Sequence, residues 1–189
     1  MNYWFTSDYH LGHANIIKYC NRPFKNLEHM NTEIIRRHNE RIKPEDTVFF
    51  LGDFCFKNTP NSVKRGEGDI VKAIEYEKRL NGKLIFIKGN HDRNNSCKTI
   101  IESLVIRFSN KWIKLIHNPD SQYIDTKYDL IFAGHVHNHW KFKRIKMGYS
   151  FIDIINVGVD VNNFYPQTFE ELYKDYNCWL KVNFKDKGK

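Results

Sequence analysis

Nine side chains able to ligate a cation or move a proton stand in five short clusters along this chain: Asp8-Tyr9-His10, Gly52-Asp53, Gly89-Asn90-His91-Asp92, His117, and Gly134-His135-Val136-His137. Taken singly they say little, because a lone Asp or His after a strand is usually a cap or a solvated loop residue. His135 and His137 say more, since two imidazoles at i and i+2 in an extended loop can address one centre. Together, Asp8, His10, Asp53, Asn90, His117, His135 and His137 form a set of nitrogen and oxygen donors without thiolate. Such donors suit Mn, Fe, Zn, Ni or Co, with Mg also open, and disfavour purely sulfur-seeking ions. Seven donors exceed one tetrahedral shell and suit two ions that share a carboxylate. Paired ions about 3.5–4 Å apart stabilise the attacking and leaving oxygens of a displacement at phosphorus, and they activate bound water near neutral pH.

The elements that must position these residues follow from the apolar pattern. Residues 2–7, 47–51 and 83–88 read as buried strands, and each runs into one of the clusters. The spacing of Leu27, Met30, Ile34, Ile35 and Ile42 predicts a helix over 28–42, stopped by Pro44. A polar loop follows the second strand, then a helix over 69–80 that ends at Asn81-Gly82. Further on, 105–108 and 112–116 flank Ser109-Asn110 as a hairpin, and 129–133 and 151–157 read as strands. A short helix is expected over 168–175. Alternation of Cys178, Leu180, Val182 and Phe184 with Trp179, Lys181 and Asn183 suggests a half-buried strand over 178–184. Strands and helices alternate early and strands dominate later, which implies a layered α/β domain. Ligands in such sheets bind beyond the carboxyl ends of the strands, where five predicted strands place the clusters.

Composition narrows the class. The 189 residues suit one domain, residues 1–189, and 41% apolar with 15% aromatic content excludes intrinsic disorder. No apolar run is long enough to span a membrane and the N-terminus lacks the apolar stretch of a signal peptide, so a cytoplasmic protein is expected. Cys20, Cys55, Cys97 and Cys178 lack paired spacing and read as isolated thiols. The net charge of +8 hints weakly at anionic partners. Lys141, Lys143, Arg144 and Lys146, interleaved with Trp140 and Phe142, form a basic run that can guide a nucleotide or single strand, or simply face solvent.

The five clusters, in order, resemble the calcineurin-like metallophosphoesterase superfamily, whose motifs run D-x-H, G-D, G-N-H-[DE], a single H and G-H-x-H. The fourth departs slightly: Ile116-His117 stands where many members have G-H. The resemblance implies a four-layer α/β/β/α sandwich with the site at the strand ends. It implies one ion on Asp8, His10, Asp53 and His137 and another on Asp53, Asn90, His117 and His135, with Asp53 bridging and Mn the foremost metal. His91 and Asp92 would be catalytic, His91 facing the substrate and Asp92 orienting or charge-stabilising His91, the alternative for Asp92 being a simple turn residue. Residues 8–17 followed by Arg22-Pro23-Phe24 look more narrowly like a subgroup of small single-domain phosphoesterases of bacteria and phages. There His13 and Arg22 would lie near the metals. A guanidinium suits phosphate, so Arg22 is expected on the substrate, the alternative being a pair with an acidic loop residue. The activity so implied is hydrolysis of phosphate esters, foremost phosphodiesters such as cyclic or short nucleotides. A nuclease on DNA or RNA, a phosphomonoesterase and a non-catalytic scaffold are the alternatives. His29 and His38, within the predicted helix, read as surface or interface residues, and His139 as a loop residue beside Trp140, contact with substrate being the alternative.

Overall fold

Strand β1 (Tyr3–Thr6) and strand β2 (Thr47–Leu51) show no alternation of apolar and polar residues because both of their faces are covered. Phe5, Phe49 and Leu51 point into one apolar cluster, whereas Phe50 points into another. The computed structural model in which this is seen describes residues 1–56, 58–92, 99–120 and 124–184. Between β1 and β2 run α1 (Asn15–Tyr19) and α2 (Leu27–Arg41). After β2 come α3 (Pro60–Lys64), α4 (Ala73–Glu77) and β3 (Lys83–Ile87). Then follow β4 (Ser103–Phe108), β5 (Lys111–Ile116), β6 (Leu130–Ala133), β7 (Phe142–Met147) and β8 (Ser150–Asn156). A 3-10 turn at Val159–Val161, the short β9 (Gln167–Thr168) and α5 (Phe169–Phe184) end the described chain.

The strands form two sheets, in the orders β3-β2-β1-β9 and β4-β5-β6-β8-β7. β1, β2 and β3 pair in parallel, as do β5, β6 and β8, so all six deliver their C-termini to one end of their sheets. The sheets face each other across a core of Phe5, Phe49, Leu51 and Ile87 on one side and Ile113, Leu115, Phe132 and Ile155 on the other. Helix α2 covers the far side of the first sheet with Met30, Ile34 and Ile35, packed with Tyr9 and Phe50. The molecule is thus the expected α/β sandwich of two sheets with helices. The helices divide unevenly among the described residues. α5 lays Phe169, Leu172 and Tyr176 into the core between the sheets, and its rings touch Phe108 of β4, Phe132 of β6 and Phe142 of β7.

Several local expectations change. Residues 178–184 are helical, not a strand: Phe169, Leu172, Tyr176, Trp179 and Leu180 repeat at three and four, and that stripe packs inward. The alternation that suggested a strand leaves Val182 and Phe184 largely exposed. Thr168 and Glu171 start this helix by each accepting the other's backbone N–H, at 3.3 and 2.9 Å, which is a capping box. The helix expected over 69–80 shrinks to α4, and the preceding loop holds α3, capped by Thr59 with Pro60 in its first turn. Ser109 and Asn110 both take positive φ, 46° and 61°, as a two-residue type I′ hairpin requires. Cys20 and Cys55 are buried and Cys178 is exposed; Cys97 lies outside the described residues. No described helix is long and apolar enough to cross a membrane.

His38 is not a surface residue. It is fully buried between the Tyr9 hydroxyl, 2.7 Å from Nδ1, and the Asn81 carbonyl, 2.8 Å from Nε2. A carbonyl only accepts, so Nε2–H donates to Asn81 and Nδ1 accepts from Tyr9. Burial lowers this imidazole from 6.5 to about 4. The unfolded chain therefore takes up a proton here near pH 6.5, while the folded chain resists until about 4. Between those values the unfolded state binds more protons, so stability falls as pH drops, by about 3 kcal/mol across the window. His38→Gln keeps both hydrogen bonds and removes the titration. Denaturant midpoints from pH 7 to 4 are expected to slope less steeply in this variant; an unchanged slope would count against the assignment.

Candidate metal centre

The loops that leave β1 and β2 run side by side. Asp8 N donates to Gly52 O, His10 N to Asp53 O and Leu11 N to Phe54 O, at 3.0, 3.0 and 3.1 Å. Gly134 N donates to His117 O at 3.0 Å, which ties the β5 and β6 ends in the same way. Asp8, His10, Asp53, His135 and His137 all have positive φ, between 46° and 71°. Such backbone is uncommon outside glycine and costs energy, so it persists where surrounding contacts over-determine it, most often at functional sites. The glycines of the motifs allow the crowding. A Cβ on Gly89 would overlap Asp53, and one on Gly134 would overlap Ser7 and lie 2.6 Å from Asp8 Oδ2.

The result is two adjoining groups of donors. Asp8, His10 and His137 place ligand atoms within 4.8 Å of one another, and so do Asp53, His117 and His135. Asp53 Oδ2 lies between them, 3.4 Å from His10 Nε2 and 3.4 Å from His117 Nε2. Asn90 Oδ1 joins the second group at 2.9 Å from both His117 Nε2 and His135 Nδ1. All seven sequence-predicted ligands are therefore brought together.

Their electrostatics call for a cation. His10 Nε2 is buried with no hydrogen-bond partner, and burial holds its imidazole well below the usual range, leaving a bare lone pair. His117 Nδ1 lies 2.7 Å from Leu51 O, so that nitrogen carries a proton and Nε2 faces Asp53 Oδ2 and Asn90 Oδ1, both acceptors. Only a proton or a metal ion relieves that convergence. Burial opposes a protonated His117, but the hydrogen bond and charge of Asp53 outweigh it and push the ring up to about 9. Burial likewise opposes a charge on His137, and its contacts to Asp160, Cys20 and Asp8 raise it to about 10. Asp53 is held well below the usual carboxylate range by His117 and His10 against the effect of burial. Burial pushes Asp8 up against the favourable charges of His117 and His137. These residues fit two divalent ions.

His91 lies beside both groups, its Nε2 4.0 Å from Asp53 Oδ2 and its side chain 38% exposed. Its backbone N–H donates to Asp53 Oδ1 at 2.9 Å. Asp92 has a task other than the expected one. Its carboxylate accepts the backbone N–H groups of Gly89, Asp53 and Phe54 at 2.7, 3.0 and 3.3 Å, clamping the ends of β2 and β3. It is a positioning residue rather than the orienter of the His91 ring. His13 is almost buried, stacked on Phe56 at 4.2 Å between centroids, with Nδ1 3.5 Å from His10 Nδ1. It therefore backs His10 instead of facing substrate, and burial with the nearby His91 lowers it to about 4.

The expectation for Arg22 is overturned. Its side chain is 0% exposed and its five N–H groups are all engaged. Nε and Nη2 donate to Asp160 Oδ1 and Oδ2 at 2.8 and 2.9 Å, and Nη2 also to Asp8 O at 2.7 Å. Nη1 donates to Tyr9 O at 2.9 Å and to Met30 Sδ at 3.5 Å. No donor remains for a phosphate, and the acidic loop partner is Asp160. Three cations of the basic run are paired, Lys141 with Asp175, Lys143 with Asp120 and Arg144 with Asp153, while the Phe142 ring packs on Tyr176 and Trp179. His139 is exposed on its loop.

Sequence reasoning missed Asp160 and Asn156. Asp160 Oδ2 lies 2.9 Å from His137 Nδ1. Asn156 donates to the carbonyls of His137 and Trp140 at 2.8 and 2.9 Å, fixing the histidine loop from below. Asn156 ends β8 and Asp160 follows it in the run Asn156-Val157-Gly158-Val159-Asp160, a sixth strand end with polar residues.

Two facing sheets with paired donor groups at the ends of their parallel strands define a metal-dependent phosphoesterase type of centre. Residues 1–158 match the family model of the calcineurin-like phosphoesterase superfamily domain, and the chain belongs to that superfamily. An uncharacterized protein of Methanocaldococcus jannaschii, MJ1445, is 39% identical over 176 residues, covering 90% of this chain and 89% of the relative. The gene 66 protein of Mycobacterium phage D29 is 33% identical over 92 residues, 49% of this chain and 41% of that protein. Among solved structures, a protein of unknown function from Aquifex aeolicus, AQ665, superposes with a TM-score of 0.64 at 27% identity, covering 91% of this chain and 97% of that one.

Proposed function

We propose that this chain hydrolyses phosphodiesters, cyclic or short nucleotides in the first place, at a centre of two divalent ions, with Mn as the foremost metal. The observation that carries the reading is Asp53 Oδ2, equidistant at 3.4 Å from one histidine of each donor group, which suits a carboxylate shared by two ions. Asp8, His10, Asp53 and His137 would hold one ion, and Asp53, Asn90, His117 and His135 the other. When bound, such a pair supplies Lewis-acid stabilisation of phosphoryl oxygens and activation of water. The chain's own residues do the rest. The left-handed ligand loops hold the donors in place before substrate arrives, and Asp92 fixes the strand ends that carry Asp53 and Asn90. His91, half-exposed beside the bridge, is placed to hold a proton at Nε2 and pass it to the leaving oxygen.

Arg22 is fully engaged by Asp160 and backbone carbonyls, which leaves contact with the phosphate to the metals and His91. A nucleotide is supported by rings near His91: Phe56 stands 5.4 Å from it, and the 73% exposed Tyr19 stands edge-on to His13 at 6.2 Å. Bases stack on such rings without need of a specific sequence.

The test is turnover of bis-p-nitrophenyl phosphate, p-nitrophenyl phosphate and 2′,3′-cyclic nucleotides, with Mn²⁺ or with EDTA. Mn²⁺-dependent hydrolysis favouring the diesters is expected. A faster monoester would reverse the substrate preference, and absence of any metal-dependent turnover would favour a binding scaffold.

A further inference from the structure

One buried ion pair touches both the carboxylate strand and the histidine loop of the same donor group. Asp160 Oδ2 accepts from His137 Nδ1 at 2.9 Å, which leaves His137 Nε2 as the lone pair turned to Asp8 and His10. Arg22, bound to Asp160 through two N–H groups, reaches across to the carbonyls of Asp8 and Tyr9 at 2.7 and 2.9 Å. Those carbonyls lie between the left-handed residues Asp8 and His10, whose φ are 61° and 52°. The two segments are also registered through the backbone, because Val159 N donates to Ser7 O at 3.2 Å and Gly158 pairs with Ser7 as an isolated bridge. The second group, Asp53, His117 and His135, is backed on its side chains by the Leu51 carbonyl behind His117 and the Asn90 amide, and it meets the first group where the His135 N–H donates to the Asp8 carboxylate at 3.0 Å.

We propose that the Arg22–Asp160 pair is a positioning device for one of the two metal sites, locking Asp8 and His137 together and setting the affinity of that site alone. The inference rests on the dinuclear reading above. Two physical effects combine. Asp160 fixes the tautomer and orientation of His137, and it neutralises a guanidinium that would otherwise stand beside the ion as an unpaired positive charge. Cys20 also brings its thiol within 4.8 Å of His137 and Asp160. That trio is not a third site, because both Asp160 oxygens are already taken by Arg22.

The test is an Mn²⁺ titration of the full chain, with free Mn²⁺ read by electron paramagnetic resonance, on wild type, Asp160→Asn and the double variant Arg22→Met with Asp160→Asn. The double variant leaves no unpaired buried charge, so it keeps the test open where the single variant fails to fold. Wild type is expected to bind two ions. In the variants one ion should bind about 10–100-fold more weakly, the range for loss of a ligand's supporting partner, while the other is held as in wild type. Raising Mn²⁺ should then restore kcat with KM for bis-p-nitrophenyl phosphate unchanged, a response that mere loosening of the fold would not give. Both ions weakening together, or neither weakening, would overturn the proposal. Wild type binding fewer than two ions would instead overturn the dinuclear reading itself.

Discussion

Asp53→Asn is expected to lower turnover of bis-p-nitrophenyl phosphate by at least about a thousandfold, the scale on which direct transition-state stabilisation acts. The reason is the position of one atom. Asp53 Oδ2 is the single oxygen shared by both donor groups, so replacing it by an amide nitrogen deprives each group of an anionic donor. The same substitution is expected to spare the fold. An asparagine keeps an oxygen for the His91 N–H, now 2.9 Å from Oδ1, and turns an N–H₂ toward the His10 and His117 nitrogens. Of these, His10 Nε2 is buried without a partner and gains a donor, while His117, which Asp53 pushes up to about 9, loses its charge partner and is expected neutral in the variant. The metal-free variant should therefore still fold while failing to hold two ions. Circular dichroism and Mn²⁺ binding separate the two effects. Turnover within tenfold of wild type would defeat the shared-carboxylate assignment.

How far the site was legible depends on what each residue touches. The seven donors were readable because their partners are one another: chemistry-bearing types at strand ends point to a common centre whatever the details of packing. Asp92 was misread, and Arg22 was left between two readings, because main-chain groups share in holding them, the N–H groups of Gly89, Asp53 and Phe54 and the carbonyls of Asp8 and Tyr9. Side-chain type alone does not reveal which backbone groups the fold will present. Asp160 was passed over for a different reason, since an acid among valines looks like a turn residue. The rule that found the other clusters, polar residues just past a buried strand, applies equally to the end of β8. In the fold, α5 shows how two periods can coincide over a short stretch: Cys178 to Phe184 alternates, yet the stripe from Phe169 to Leu180 decides the structure because it fills the core. β7 escaped notice because Lys143, Arg144 and Lys146 break its apolar character, as suits a strand with one unpaired edge.

Gly52→Ala should be strongly damaging, and Gly66→Ala separates its two causes. Both glycines have positive φ, +88° and +71°, so each alanine incurs the same backbone strain, about 1–2 kcal/mol. Around Gly66 an added methyl meets nothing within 4 Å. At Gly52 it would overlap the His117 ring and lie 2.7 Å from the Gly89 Cα. Overpacking of that kind adds about 1–3 kcal/mol. The collision has a chemical consequence as well as a structural one. His117 is held by its hydrogen bond to Leu51 O, one residue before Gly52, and Gly89 precedes Asn90, so a methyl at position 52 displaces two donors of the same group. Gly52→Ala is therefore expected to cost about 2–5 kcal/mol in denaturant unfolding and to lose metal-dependent turnover, whereas Gly66→Ala loses only the backbone share and stays active. Equal destabilisation in the two variants, with activity retained in both, would show that the close approach of β2, β3 and His117 does not shape the centre.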